Sequence, residues 1–387
     1  MLPLHIPELT EGTTLERADI LCENGIIKKI RPCGYKYDVP EGTEEMDIGG
    51  QTLMPGFIDA HVHLRMMGRN LSSDPYHVGA VMVDEINFAR FLLDNGYTTV
   101  RDVGDNIANL AQDLRDKINK GDIEGPRIFC SGPTLAPYEN GFDSAYSEPH
   151  HYYTNSPEEM RARARYNLMK GADFIKLYGT GSMCVVDREP GYLIMTEDEM
   201  KAAVEIANMK ETYCAIHCHG ENGCDRAAHA GVKTIEHASF IGRHTLEYLE
   251  TRKKEGQGIV ITASVLEDNS WGDYPIGIDE KVISCLKETK NYDILIGWGT
   301  DTSLKFYKEN PYTEFQIRSE KLGFSNIEIL KQLTIESAVL IMKEDMIGSI
   351  KEGKYADFCV INGNPVVDIT ILYKKPEHII KGGKIIR

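Results

Sequence analysis

The chain has 387 residues, of which 42% are hydrophobic and 26% are charged, as expected for a globular protein with one large domain and a smaller one. Its formal net charge of −16 argues against nucleic acid and anionic membranes as partners, because binding to either needs basic surface. The nine scattered cysteines indicate no disulfide framework, and the lack of a signal-like N-terminus or a long apolar span predicts a cytoplasmic protein.

The two ends of the chain predict short strands joined by glycine turns. Residues 18–54 contain "ADILCENGIIKKI", and residues 346–387 contain "MIGSIKEGKYADFCVI". We expect residues 1–54 and 346–387 to form together one small β-sandwich domain.

Eight short apolar runs lie between these ends and alternate with helical stretches. The runs are residues 56–64, 98–104, 127–136, 173–181, 213–220, 233–239, 258–264 and 293–301. Eight strands alternating with amphipathic helices predict an α/β fold, a (β/α)8 TIM barrel over residues 55–345. A doubly wound sheet is the alternative, but no strand is followed by the G-x-G-x-x-G pattern of that fold.

The first barrel strand is "GFIDAHVHL", at 56–64. Side chains alternate along a strand, so Asp59, His61 and His63 share one face. Two histidines side by side on one face indicate either a metal site or a chance occurrence. Asp59 lies deeper on that face, and we expect it to pair with the inward Arg101 of the next strand.

Polar side chains recur at the C-terminal ends of the predicted strands, including the first one. Barrel enzymes place their active sites at this end of the barrel. These side chains are His61, His63, Lys176, His217, His219, His237 and Asp301. A single histidine in a strand is more often a hydrogen-bonded core residue than a ligand. Five histidines and an aspartate at equivalent strand ends predict a metal centre, because imidazole and carboxylate are ligands for zinc and similar ions.

Lys176 is the unusual member of this set, because an ammonium group cannot bind a cation. Burial and nearby positive charge lower the pKa of a lysine and make its amine nucleophilic. A neutral amine adds carbon dioxide to give a carbamate, whose two oxygens could bridge two metal ions that activate one hydroxide. The alternative is that Lys176 forms an ion pair with a carboxylate.

Eight motifs in this order resemble the amidohydrolase superfamily, specifically its imidazolonepropionase-like branch with the Xaa-Pro dipeptidases (prolidases) and related metallocarboxypeptidases. They are "PGFIDAHVHL", "TTVRDVG", "GPRIFCSG", "GADFIKLYGTG", "AIHCHG", "AGVKTIEHAS", "GTD" and "IGSIKEGKYADFCVINGNPVVDI". The resemblance covers roughly residues 18 to 387.

The resemblance implies a centre of two divalent ions, with zinc favoured and manganese or cobalt as alternatives. His61, His63 and Asp301 would hold one ion, and His217 and His237 would hold the other. Lys176, as an N6-carboxylated lysine, would bridge them. Asp301 would also act as the catalytic base, and His219 would polarise the substrate carbonyl.

The implied activity is hydrolysis of an amide or peptide C–N bond in a small molecule, such as an Xaa-Pro dipeptide or an N-acyl amino acid. A deaminase or a cyclic-amide hydrolase on the same fold is the alternative. Deaminases of this fold typically carry glutamate three residues after the histidine of the fifth strand, where this chain has Gly220. A barrel without turnover, and lactone or phosphotriester hydrolysis, are further alternatives. We expect a homo-oligomer.

Substrate specificity is expected from loops that follow the strands. Arg188 is a candidate partner for a substrate carboxylate through two parallel hydrogen bonds. Tyr178 and His151 are further candidates for substrate binding, together with His219. Ordinary surface loops are the alternative for each.

Overall fold

The computed structural model describes residues 2–5, 14–15, 17–36, 38–39, 41–64, 78–104, 109–138, 151–183, 189–268 and 275–387. The strands are β1 (Leu2–His5), β2 (Thr14–Leu15), β3 (Ala18–Glu23), β4 (Ile26–Pro32), β5 (Thr52–Pro55), β6 (Phe57–Val62), β7 (Tyr97–Asp102), β8 (Arg127–Cys130), β9 (Thr134–Ala136), β10 (His151–Tyr153), β11 (Ile175–Tyr178), β12 (Cys214–Cys218), β13 (Thr234–His237), β14 (Gly258–Ile261), β15 (Leu295–Trp298), β16 (Phe358–Ile361), β17 (His378–Lys381) and β18 (Lys384–Ile385). The α-helices are Val78–Asp94, Leu110–Lys120, Pro157–Met169, Glu197–Met209, Glu221–His229, Arg243–Arg252, Ile278–Glu288, Leu304–Glu309, Thr313–Gln316, Asn326–Lys331 and Ser337–Leu340. Two π-helical segments, Ile317–Leu322 and Gln332–Glu336, join the last of these helices into longer rods.

Parallel strands form the predicted barrel. Strands β6, β7 and β8 make one ladder, and β9 and β11 to β15 make a second ladder with β10 at its edge. Asp173 N donates to Cys130 O at 2.8 Å, and Asp301 N donates to His61 O at 3.0 Å, so backbone bonds join the two ladders on both sides. The prediction of a (β/α)8 TIM barrel is confirmed.

The third barrel strand differs in detail from its prediction. The run 127–136 forms two short strands, β8 and β9, with Pro133 between them. Proline has no N–H to donate to a ladder, so the strand is interrupted there. Strand β9 then pairs with β11 through Leu135 and Leu177.

The ends of the chain form small sheets, as predicted. Strands β5 and β16, which are remote in sequence, pair antiparallel with Met54 opposite Cys359. A separate β3–β4 hairpin turns at Asn24 and Gly25, both with positive φ. An apolar cluster that includes Ile27 packs this hairpin against the β5–β16 sheet. Both termini therefore lie beside the barrel, and β5 leads directly into β6.

Strands of the barrel are buried on both faces because helices cover the outside. The helix Glu197–Met209 shows how such a helix begins, with Thr196 and Glu199 forming a capping box at its N-terminus. Among the described helices, none combines the length and the apolar character that crossing a bilayer would require. The barrel interior holds charged side chains as well as apolar ones, and Arg101 and Glu236 are fully buried there.

Candidate metal centre

The first group of side chains that could hold a metal ion lies where β6 and β15 end. His61 Nε2 and His63 Nε2 each lie 3.7 Å from Asp301 Oδ1. One ligand atom from each of the three residues lies within 4.8 Å of the others. Three side chains from two adjacent strands therefore point their donor atoms at one place.

The second group is His217, His219 and His237, whose ligand atoms also lie within 4.8 Å of one another. His217 and His219 come from the end of β12, and His237 is the last residue of β13. The His237 ring lies 4.7 Å from the His61 ring, and its Nδ1 is 3.8 Å from Asp301 Oδ2. The two groups are therefore adjacent parts of one site.

Three residues of this region have a left-handed backbone that is uncommon outside glycine. Their φ angles are +69° at His237, +51° at Ala238 and +50° at Asp301. Such conformations are costly and cluster at functional sites, where the surrounding structure enforces them. At His237 the conformation breaks strand alternation, so that Glu236 and His237 both reach the His61 ring.

Four of the five rings, those of His61, His63, His219 and His237, have a hydrogen-bond partner that fixes their orientation. His61 Nδ1 lies 2.7 Å from Glu236 Oε2, and His63 Nδ1 lies 3.1 Å from Gly104 O. The Nδ1 atoms of His219 and His237 contact hydroxyl groups, at 2.8 Å from Ser239 Oγ and 2.7 Å from Thr262 Oγ1. Partners of this kind orient the rings of metal-binding histidines in proteins.

Lys176 projects from β11 into the same site and is buried. Within the described part of the chain, its Nζ makes no hydrogen bond, and no ion pair to a carboxylate is formed. Burial lowers the pKa of Lys176 to about 8, against the opposing effect of Glu236. An amine with this pKa is partly neutral near physiological pH, which is the form that can react with carbon dioxide.

Burial also governs the charge of the other side chains. It lowers the pKa of His61, His217 and His237 well below the usual value for histidine, and the pKa of His219 to about 3. Neutral imidazole is the form that binds metals. Burial raises the pKa of Asp301 well above that of an ordinary aspartate, and a bound cation would favour its ionised form.

These side chains fit a pair of divalent ions. Imidazoles and a carboxylate are the ligands that zinc, manganese and cobalt accept. His61 Nε2 and His217 Nε2 are buried and have no hydrogen-bond partner among the residues that the structure describes. A buried polar atom without a partner is costly, and a bound ion would remove that cost at both nitrogens.

The structure describes only part of the predicted substrate-binding set. Tyr178 is buried, and its ring stacks on His217 with 3.9 Å between ring centres. His151 begins β10, but its side chain lies outside the described residues, and so does the whole of Arg188. Gly191, which follows Arg188 in the chain, lies close against His219 and Gly220. A Cβ added at Gly191 would be only 2.6 Å from Gly220 N and 2.8 Å from His219 Cβ, so there is no room for a side chain at this position.

Two interior contacts were not predicted correctly. The expected pairing of Asp59 with Arg101 is wrong, because Arg101 donates to Glu236 and Asp59 accepts from Thr300 and from the backbone N of His61. The role of Glu236 was not predicted, although this residue directly precedes a predicted ligand in "TIEHAS". A carboxylate within a predicted barrel strand, directly before a predicted ligand, was the available signal.

Comparison with known proteins gives relatives of similar length. Ochratoxinase from Aspergillus niger is 26% identical over 427 aligned residues, covering 97% of this chain and 84% of that protein. The crystal structure of a prolidase complexed with N-methylphosphonate-L-proline superposes with a TM-score of 0.82 at 25% identity, covering 100% of this chain and 98% of that one. A Xaa-Pro dipeptidase with bound methionine gives a TM-score of 0.81 at 27% identity, covering 95% and 94%. The sequence profile of the amidohydrolase family matches residues 52–386, so the chain belongs to the amidohydrolase family of hydrolases.

Proposed function

We propose that this protein is a metal-dependent amidohydrolase that cleaves the C–N bond of a dipeptide of the Xaa-Pro type or of an N-acyl amino acid. One observation carries the proposal. Two adjacent groups of metal-binding side chains meet at the strand ends of the barrel, with the buried amine of Lys176 projecting into the same site. Such a site is suited to hydrolysis with two metal ions.

In this proposal His61, His63 and Asp301 hold one ion, and His217 and His237 hold the other. Lys176 carries an N6-carboxyl group that contributes to both positions. When bound, the two ions acidify water and stabilise negative charge on the carbonyl oxygen of the substrate. Zinc is the ion we favour.

Asp301 moves the proton in the proposed reaction. Its carboxylate accepts a proton from the attacking water, and the new C–O bond forms at the carbonyl carbon. The same proton then passes to the leaving nitrogen as the C–N bond breaks, because an amide nitrogen leaves as the protonated amine. The backbone bond from Asp301 N to His61 O holds this side chain at the site.

His219 orients the substrate carbonyl in this scheme. If the hydroxyl of Ser239 donates to His219 Nδ1, then Nε2 carries the proton and donates to the carbonyl oxygen. The second possible role is that of a third imidazole for the second ion, which its position beside His217 and His237 favours. Replacement His219→Asn separates the roles, because only the second predicts loss of one bound ion.

The relatives support the proposed substrate class. A prolidase and a Xaa-Pro dipeptidase align over almost the whole chain, which supports a substrate with a C-terminal amino acid. Tyr178, His151, Arg188 and His219 are the proposed contacts for it. Arg188→Ala should raise KM for a substrate that bears a carboxylate.

The test is incubation of the metal-loaded protein with pooled dipeptides, N-acyl amino acids and amino-substituted heterocycles, followed by mass spectrometry of the products. Gain of one water with release of a free amino acid would support the proposal and identify the substrate class. Loss of ammonia would make the protein a deaminase and leave Lys176 without its proposed role. Asp301→Asn protein, treated in parallel, controls for a contaminating hydrolase.

A further inference from the structure

A buried ion pair lies directly beneath the site, inside the barrel. Arg101 on β7 and Glu236 on β13 are both fully buried. Arg101 Nη2 donates to both oxygens of Glu236, at 2.7 and 2.8 Å. The stacked rings of Phe174 and Tyr213 lie on the guanidinium, 5.4 and 6.0 Å from its carbon. A pair buried to this degree is costly unless its remaining hydrogen bonds are made.

The remaining bonds of the pair are made to groups of β6 and β13. Arg101 Nε donates to Ala60 O at 2.5 Å, and Arg101 Nη1 donates to Thr234 Oγ1 at 3.0 Å. The hydroxyl of Thr234 donates in turn to Glu236 Oε1. Glu236 is therefore held on one side by three donor contacts from Arg101 and Thr234, and its Oε2 faces His61.

The contact with His61 decides which ring nitrogen carries the proton. A carboxylate held by an arginine acts as an acceptor, so His61 Nδ1 donates to it across 2.7 Å. The proton-free nitrogen is then Nε2, the atom that lies 3.7 Å from Asp301 Oδ1 and has no partner among the described residues. The lone pair of His61 is thus directed into the first ligand group.

The other rings of the site have weaker acceptors. Among the described residues, the hydrogen bond of His63 Nδ1 goes to a backbone carbonyl at 3.1 Å, and those of His219 Nδ1 and His237 Nδ1 go to hydroxyl groups. Hydrogen bonds to a charged partner are shorter and roughly twice as strong as neutral ones. A carboxylate behind a ring also makes the opposite nitrogen a stronger metal ligand.

We infer that Glu236, held in place by Arg101, is the positioning residue of His61, and that it makes the His61, His63 and Asp301 position the tighter of the two metal positions. This inference rests on the proposed function, since it requires that ions bind at both groups. Glu236 acts through His61 and has no contact of its own with substrate.

The test measures metal affinity and uses no substrate. Apo-protein is titrated with Zn²⁺ against a chromophoric chelator, and bound metal per chain is measured by mass spectrometry of the metal after desalting. His217→Ala protein serves as the background, because the ion that remains bound there reports the first position. In that background, Glu236→Gln should weaken the remaining ion by about 10- to 100-fold. The d–d absorption bands of Co²⁺ at this position should change as well.

Thr234→Val is the matched control, because it disturbs the same buried pair but leaves the contact between Glu236 and His61 in place. Its metal affinity should stay within about threefold of the parent. Arg101→Met with Glu236→Met is the second test variant, for the case that Glu236→Gln leaves Arg101 unpaired and the chain unfolded. Removing both charges usually preserves folding, and this variant should show the same loss of affinity.

The outcomes separate the two proposals. Wild-type protein that binds no ions would overturn both the function and the inference. Wild-type protein with two ions, together with Glu236 variants that fold and keep the affinity and Co²⁺ spectrum of the parent, would overturn the inference alone.

Discussion

Two buried arginine–glutamate pairs occur among the described residues, Arg101–Glu236 inside the barrel and Arg318–Glu314 in the helical segments that follow β15. Arg101 and Arg318 are both fully buried, and each places a guanidinium nitrogen 2.7 Å from a glutamate oxygen, of Glu236 and Glu314 respectively. Each guanidinium also lies on an aromatic ring, and that of Arg318 is 4.7 Å from the ring of Trp298. Burial and pairing alone would assign them the same role.

The contacts at the far side of each carboxylate distinguish the pairs. The second oxygen of Glu236 contacts an imidazole of the site, whereas that of Glu314 accepts from Ser264 N at 2.7 Å. Arg318 donates to the carbonyls of Ile261 and Gly297, at the ends of β14 and β15. The role of each buried pair is therefore indicated by the group that its carboxylate contacts on the side away from the arginine. Of these two pairs, Arg101–Glu236 contacts a proposed metal ligand and Arg318–Glu314 does not.

The largest expected effect lies at Asp301, the carboxylate that His61 Nε2 faces. Asp301→Asn keeps the shape of the side chain but removes its charge and its capacity to accept a proton. We expect kcat/KM for the identified substrate to fall by about 10²- to 10⁴-fold, the range typical of general acid–base catalysis. Steady-state kinetics measures the change, and circular dichroism and the thermal midpoint check that the fold is kept. Activity within tenfold of wild type would exclude Asp301 as the base.

The Arg318 pair should respond in stability and not in metal binding. Arg318→Met leaves Glu314 without its cation and removes the hydrogen bonds that Arg318 donates to the carbonyls of Ile261 and Gly297. We expect the free energy of unfolding to fall by about 3–5 kcal/mol, as when one partner of a buried pair is removed. Urea denaturation measures this, and Arg318→Met with Glu314→Met should recover part of the loss. Loss of bound metal from folded Arg318→Met protein would contradict this difference, because it would show that both pairs affect metal binding.

Two threonines that flank Asp301 allow a smaller and closely matched comparison. Thr300 Oγ1 donates to the buried Asp59 at 2.7 Å, whereas Thr302 Oγ1 is buried with no hydrogen-bond partner among the described residues. Thr300→Val should lower the free energy of unfolding by about 1–3 kcal/mol, because a buried carboxylate loses a donor. Thr302→Val should not lower the free energy of unfolding, because a buried hydroxyl that makes no hydrogen bond is costly and the substitution removes it. Equal losses in urea denaturation would show that the Asp59 contact contributes nothing specific.

The barrel and its ligand positions could be predicted from sequence because both depend on local periodicity. Strand alternation alone places His61 and His63 on one face, and Lys176, His217 and Asp301 follow apolar runs at equivalent points. These are features that a single segment of sequence displays. Metal binding itself stays a prediction for the titration to test.

What the sequence did not reveal depends on contacts between remote segments. Arg101 and Glu236 are 135 residues apart, so the choice of Glu236 over Asp59 as its acceptor is decided by barrel closure. Strict alternation would place Glu236 and His237 on opposite faces, and the positive φ at His237 that brings both to His61 has no sequence signature. Both errors concern the contacts and the backbone conformation that position the proposed ligands, and not the identity of the ligands.

The smallest expected effect concerns Glu336, a half-buried carboxyl group. Unlike the carboxyl groups of the two pairs, it accepts from the described residues only a long hydrogen bond, from Ile296 N at 3.4 Å. Burial raises the pKa of Glu336 to about 7. Between the pKa of the unfolded chain and this value, unfolding releases a proton, so the contribution of Glu336 to stability is present at low pH and is lost as the pH rises. Glu336→Gln does not titrate and should therefore gain about 1 kcal/mol over wild type between pH 4 and pH 8, a value reduced for partial exposure. Urea denaturation of both proteins at these two pH values measures the gain. If the difference in free energy of unfolding between Glu336→Gln and wild type is the same at both pH values, Glu336 has an ordinary pKa. Partial burial of this carboxyl group would then not destabilise its charged form.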